Sequence, residues 1–167
     1  DRLLSRGLGD VYKRQYVPNI DAATYIANHL APELTKSKSN LKVLIAGSNP
    51  SSKLLKLQND QITVRGWYHD IREAYESGKV FLAPMQIGTG LQNKLLEAMS
   101  MGIPCVTSSL ANRSLKALDG ENIYVGDSVA DYVEIITSLL SDESKRQKMG
   151  NAVSYTHLRA HETEAYR

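Results

Sequence analysis

An α/β protein built on a parallel sheet, with helices on both faces, is the fold class this sequence predicts. Three observations carry the prediction. Short, almost wholly apolar runs such as "LKVLIAG" (Leu41 to Gly47) suit strands covered on both faces. These runs alternate with stretches of helical spacing across short loops, which implies parallel pairing and right-handed crossovers. Glycine or proline stands at element ends, as at Gly47, Pro84 and Gly102.

The elements follow in order. In "NIDAATYIANHLAPEL", Ala22, Ile26 and Leu30 fall four apart and give one face of a first helix. Asn19 or Asp21 is its expected N-cap, and Pro32 sets its expected end. The run Leu41–Gly47 is a strand, "SSKLLKLQ" a short helix, and "ITVRGW" (Ile62 to Trp67) a second strand. In "DIREAYES", Asp70 and Glu73 stand three apart as a capping box. "KVFLAP" (Lys79 to Pro84) is a third strand, ended by a proline that lacks the ladder donor. A glycine loop follows, then a helix from Leu91 to Met101 stopped by Gly102. "PCVTS" (Pro104 to Ser108) and "NIYV" (Asn122 to Val125) read as further strands, and two polar-faced helices close the sequence, near 128–140 and 142–149.

The two ends are set apart by their codons. One DNA sequence read on its two strands can encode both "SRGLGDVYKRQ" (Ser5 to Gln15) and "VSYTHLRAHE", beginning at Val153. It resembles the transposon-derived adapter used in preparing sequencing libraries. Residues 1–15 and 153–167 are therefore expected to be adapter-derived and are left out of the fold reading, as engineered scars are. The stretch 16–152 is then expected to be a gene fragment holding one domain, with the first strand of its sheet missing.

That division changes the charge argument. The ends carry six of the 20 Lys and Arg and four of the 18 Asp and Glu, leaving 14 against 14. No basic surface remains to argue for nucleic acid or an anionic membrane. The lone Cys105 cannot form an internal disulfide, which favours a reducing, cytoplasmic compartment. No apolar run approaches the roughly 18–20 residues that span a bilayer, a pattern compatible with peripheral membrane association of a full-length protein.

The loop "GTG" (Gly88 to Gly90) is the leading site, because ligands of parallel sheets bind beyond the carboxyl ends of the strands. Glycines let backbone amides face a ligand, and the first turn of the next helix carries unpaired N–H groups and partial positive charge. Together they suit a phosphate. The turn Leu91–Gln92–Asn93–Lys94 has no acid; Lys94 adds a cation, while Gln92 and Asn93 can hydrogen-bond. Glu97, about one turn farther on, can accept hydrogen bonds from a sugar diol, as an acid grips ribose in dinucleotide folds. Phosphate at the helix start and ribose beyond it describe a nucleoside diphosphate. The competing reading is an ordinary tight turn, with Glu97 solvated or paired with Lys94. A P-loop is excluded by the residues after Gly90, and a dinucleotide fingerprint by Asn93 and by the Ser108–Ser109 strand end.

The stretch "IGTGLQNKLLEAMSMGIPCVTS" resembles the C-terminal donor-binding domain of the glycosyltransferases of family 4, also called group 1. "PNIDAATYIAN", "VRGWYHDIREAY" and "ENIYVGD" support it. The resemblance implies the GT-B architecture, two facing Rossmann-like domains with the active site between them. It implies transfer of a sugar from a nucleotide-diphosphate sugar with retention at the anomeric carbon, without a further cofactor or metal, and an acceptor domain outside this chain. The nucleotide-sugar site would be Gly88, Thr89, Gly90, Leu91, Gln92, Asn93, Lys94 and Glu97. Glu97 would be the second acid of the family's E-x7-E motif, the ribose-binding one. The first falls at Thr89, a departure that leaves catalytic residues unassigned. Trp67 and Tyr68 occupy the loop that the family places near the nucleobase, with core packing of Trp67 as the alternative. "PNIDAA" is most like a branch associated with exopolysaccharide assembly. A non-catalytic nucleotide-sugar-binding module and another GT-B enzyme, such as a nucleotide-sugar epimerase, are the competing functions. His29, Cys105, Asp127 and the face of Lys145, Arg146 and Lys148 read as structural or solvated.

Overall fold

The computed structural model describes residues 2–6, 17–88 and 90–152. Its strands are β1 (Arg2–Arg6), β2 (Lys42–Ala46), β3 (Ile62–Arg65), β4 (Val80–Ala83), β5 (Cys105–Thr107) and β6 (Tyr124–Val125). They form one sheet in the order β3-β2-β1-β4-β5-β6, parallel throughout. The predicted α/β class holds. Strand order reverses beside β1, so the carboxyl ends of β1 and β4 flank the crevice where sheets of this kind bind ligands.

The first strand, expected to be missing, is present at the centre of the sheet. Its alternating side chains explain why it fits there. Leu3 pairs with Val43 and Val80 and joins one apolar layer; Leu4 pairs with Leu44 and Phe81 and joins the other. Without β1 the facing edges of β2 and β4 would both lose their ladder partners. Residues 7–16 and 153–167 lie outside the described residues.

The helices cover both faces. On one side lie α1 (Val17–Tyr25), a π turn (Ile26–Leu30), α2 (Ala31–Ser37) and α7 (Val129–Ser141), burying Ile26, Leu30, Leu34, Ile136 and Leu139. On the other, α4 (Ile71–Glu76), α5 (Asn93–Ser100) and α6 (Ser109–Leu115) bury Tyr75, Leu95, Ala98 and Ala111. The short α3 (Ser52–Leu55) follows β2, and α8 covers 143–152.

Several local expectations are corrected. Pro32 does not end the first helix. The π turn widens the backbone ahead of it, with the Ala31 N–H donating to Ile26 five residues back, and Pro32 then sits in the first turn of α2, where its missing donor costs little. Asn19 is not an N-cap but a buried residue inside α1. Asp70 caps α4 through the Arg72 N–H and grips its guanidinium at 2.6 Å, in place of a box with Glu73. Helix α6, absent from the sequence reading, provides the crossover that a parallel β5–β6 pair requires. The segment of Lys145 and Arg146 is also more than a solvated face. Arg146 Nη1 donates to the carbonyls of Leu139 and Leu140 at 2.6 and 3.1 Å, placing a cation at the C-terminus of α7. Lys145 lies 4.9 Å from the centroid of the Tyr124 ring.

Gly102 ends α5 with φ +69° and lies against Gly150 of α8 so closely that a Cβ on Gly150 would collide with the Gly102 carbonyl. Gly150→Ala is therefore expected to lower stability by about 1–3 kcal/mol in a denaturant titration. Gly90→Ala, with nothing within 4 Å of the added carbon, is expected to leave the midpoint unchanged.

Candidate functional site

The glycine loop leaves β4 from an anchored root. The Met85 N–H folds back onto the Ala83 carbonyl at 2.9 Å. Thr107 Oγ1 donates to the same carbonyl at 2.8 Å, and Ser108 Oγ donates to the Met85 carbonyl at 2.7 Å. Both hydroxyls are buried, so the end of β5 fixes where the loop begins. The sequence reading missed these anchors; paired hydroxyls at the carboxyl end of a buried strand were the available signal. Gly88 has φ +98°, a conformation that other residues rarely adopt. Thr89 lies outside the described residues. Gly90 faces open space, and Leu91 is half exposed.

Helix α5 starts at Asn93, two residues later than expected. Its N-cap is Gln92, whose side chain makes no cap hydrogen bond; it is buried, with Nε2 donating to the Gly90 carbonyl at 3.0 Å. By contrast Ser51, Asp70, Ser108 and Ser128 cap the starts of α3, α4, α6 and α7. The first turn of α5 holds no acid. This helix start, at the strand-order reversal, thus has positive character uncompensated by a cap.

Lys94 is only 9% exposed, and its ammonium donates to Oδ1 of Asn19. Asn19 belongs to the first turn of α1, the helix after β1, so the pair spans the crevice between the two strands. Lys94 is thereby a cation held in place, not a loose surface lysine. Glu97 is exposed, yet its Oε2 accepts a hydrogen bond of 2.9 Å from the hydroxyl of Tyr75, which also lies 3.3 Å from the Lys94 carbonyl. Glu97 is therefore not simply solvated. Asn19 and Tyr75 were absent from the site reading, because they lie 75 and 22 residues from their partners.

Trp67 is 70% exposed, which removes the core-packing alternative. Its ring meets His69 edge-on at 5.8 Å. Tyr68 is half-buried, with the Arg65 guanidinium 4.3 Å from its ring centroid. Both stand beyond β3, three strand spacings (roughly 14 Å) from the glycine loop along the same edge of the sheet. Cys105 is buried; its thiol donates to the Ile103 carbonyl at 3.2 Å, and burial pushes its pKa far up, which makes it inert. His29 lies on the exposed side of the π turn beside Tyr25. Asp127 accepts from the backbone N–H and hydroxyl of Ser109, tying β6 to the start of α6. Among the described residues, no three His, Cys, Asp or Glu gather as a metal site, and no helix is long and apolar enough to cross a membrane.

A family model described as glycosyl transferases group 1 matches residues 11–142. The chain belongs to the group 1 glycosyltransferases. No curated protein matches it in sequence. Among solved structures, this glycosyltransferase chain is similar to the catalytic domain of cholesterol-alpha-glucosyltransferase from Helicobacter pylori, at 20% identity and a TM-score of 0.65, over 95% of this chain and 98% of that one. A mutant of S. aureus TarM in complex with fondaparinux, alpha-GlcNAc-glycerol and UDP matches at 17% identity and TM-score 0.76, over 98% of this chain and 33% of that one. Anabaena HepE in complex with UDP matches at 14% and 0.64, over 93% and 43%. At these identities the likeness is one of fold. The chain spans less than half the length of TarM and HepE.

Proposed function

We propose that this glycosyltransferase chain is the donor-binding half of a two-domain GT-B enzyme of family 4, holding a nucleotide-diphosphate sugar for retaining transfer. The observation that carries the reading is the uncapped, acid-free start of α5, directly after a glycine loop at the strand-order reversal, with Glu97 exposed one turn farther along. Amides of Gly88 to Leu91 would face the diphosphate, with Gln92, Asn93 and Lys94 beside it. Glu97 would accept from the ribose hydroxyls, and Trp67 and Tyr68 would flank the base. The UDP carried by TarM and HepE supports that ligand class.

As the glycosidic bond breaks, negative charge builds on the departing diphosphate. A donor aimed at that charge typically contributes about 2.7–4 kcal/mol. A helix terminus contributes only about 0.3–1 kcal/mol, rising to about 2 when partly buried. The loop amides and a cation must therefore do more than the helix dipole. The acceptor would be bound by a facing domain, and the resemblance of "PNIDAA" supports a role in exopolysaccharide or other cell-surface glycan assembly.

Calorimetric titration with UDP, GDP and NAD tests the site. A nucleoside diphosphate is expected to bind more tightly than NAD. Tighter binding of NAD, or no binding of either diphosphate, would reject the reading.

A further inference from the structure

Tyr75 is buried to 1% exposure in the last turn of α4, where its ring meets Phe81 of β4 at 5.4 Å between centroids. A phenylalanine would fill that apolar space equally well. What phenylalanine lacks is the hydroxyl, which emerges from the core at α5, 2.9 Å from Glu97 Oε2 and 3.3 Å from the Lys94 carbonyl. A phenol has one proton to donate, and a carboxylate is the stronger and here the nearer acceptor.

The consequence falls on Glu97. An exposed glutamate samples many rotamers, and a ligand that needs one of them must supply the ordering entropy. A rigid donor from the core selects one orientation in advance, and preorganisation of that kind raises affinity without a new ligand contact. We propose that Tyr75 is a positioning residue for donor binding, its buried hydroxyl holding the Glu97 carboxylate in the orientation that grips the ribose diol. The proposal rests on the ribose contact assigned to Glu97 above.

The test compares UDP with 2′,3′-dideoxy-UDP, which lacks the diol, by calorimetry on the wild type, Tyr75→Phe, Glu97→Gln and the double variant. Should GDP be the tighter ligand, the guanosine pair replaces them. The wild type is expected to prefer the diol about tenfold or more, and Glu97→Gln to lose that preference. Tyr75→Phe is expected to weaken diol binding about three- to tenfold, to leave dideoxy binding unchanged, and to add nothing in the Glu97→Gln background. Equal weakening of both ligands, or an unchanged preference in Tyr75→Phe while Glu97→Gln loses it, overturns the role of Tyr75 and leaves the ribose contact standing. An unchanged preference in Glu97→Gln overturns the ribose contact and the Tyr75 proposal with it. If Tyr75→Phe melts below the assay temperature, Glu97→Asp withdraws the carboxylate from the phenol instead, and a retained diol preference there also overturns the proposal.

Discussion

Removal of the first six residues is expected to abolish cooperative unfolding. Strand β1 lies between β2 and β4, so its loss strips ladder partners from both. It also removes Leu3 and Leu4, which are buried in opposite apolar layers. Truncating one buried leucine to alanine costs about 2–5 kcal/mol, and small domains have about 5–15 kcal/mol in all. Leu3→Ala with Leu4→Ala is expected to consume most of that margin, and the full deletion to exceed it. Urea titration followed by circular dichroism reads the result. A shortened chain that unfolds cooperatively at the wild-type midpoint would show that β1 does not hold the sheet together.

Glu97→Gln is expected to weaken nucleoside diphosphate binding about 10- to 100-fold, because hydrogen bonds to a charged group contribute about 1.5–3 kcal/mol. Its melting temperature is expected to move little. The carboxylate is exposed, and the Tyr75 hydroxyl can donate to the amide oxygen of glutamine as it does to Glu97 Oε2. Calorimetry and a thermal melt on the same samples separate the two effects. Unchanged affinity would return Glu97 to a structural partnership with Tyr75 alone.

The plainest strands in the sequence are the most completely buried ones. All of β4 and β5, and all but the first residue of β2, face apolar layers, so their residues read as strands at once. β1 carries two leucines between arginines and serine and falls in a stretch set aside on its codons. α6 buries only Ala111 among its seven residues, which leaves almost no periodic signal. Pro32 misled for another reason: a rule about α-helices met a π turn. In the site, the glycine loop and Glu97 were recognisable because a strand, a turn and a helix start adjoin in sequence.

Local pattern thus determined the fold class, the edge of the sheet that carries the loop, and the acid one turn inside α5. Each of these depends on burial or backbone preference within a dozen or so residues. Tertiary structure alone decided that Tyr75 reaches Glu97, that Asn19 holds Lys94, and that Thr107 and Ser108 anchor the root of the loop. Asn19 meets Lys94 only when β1 enters the sheet beside β4, Tyr75 meets Glu97 only when α4 packs beside α5, and the anchors form only when β5 pairs with β4; hydrophobic periodicity carries no record of strand order.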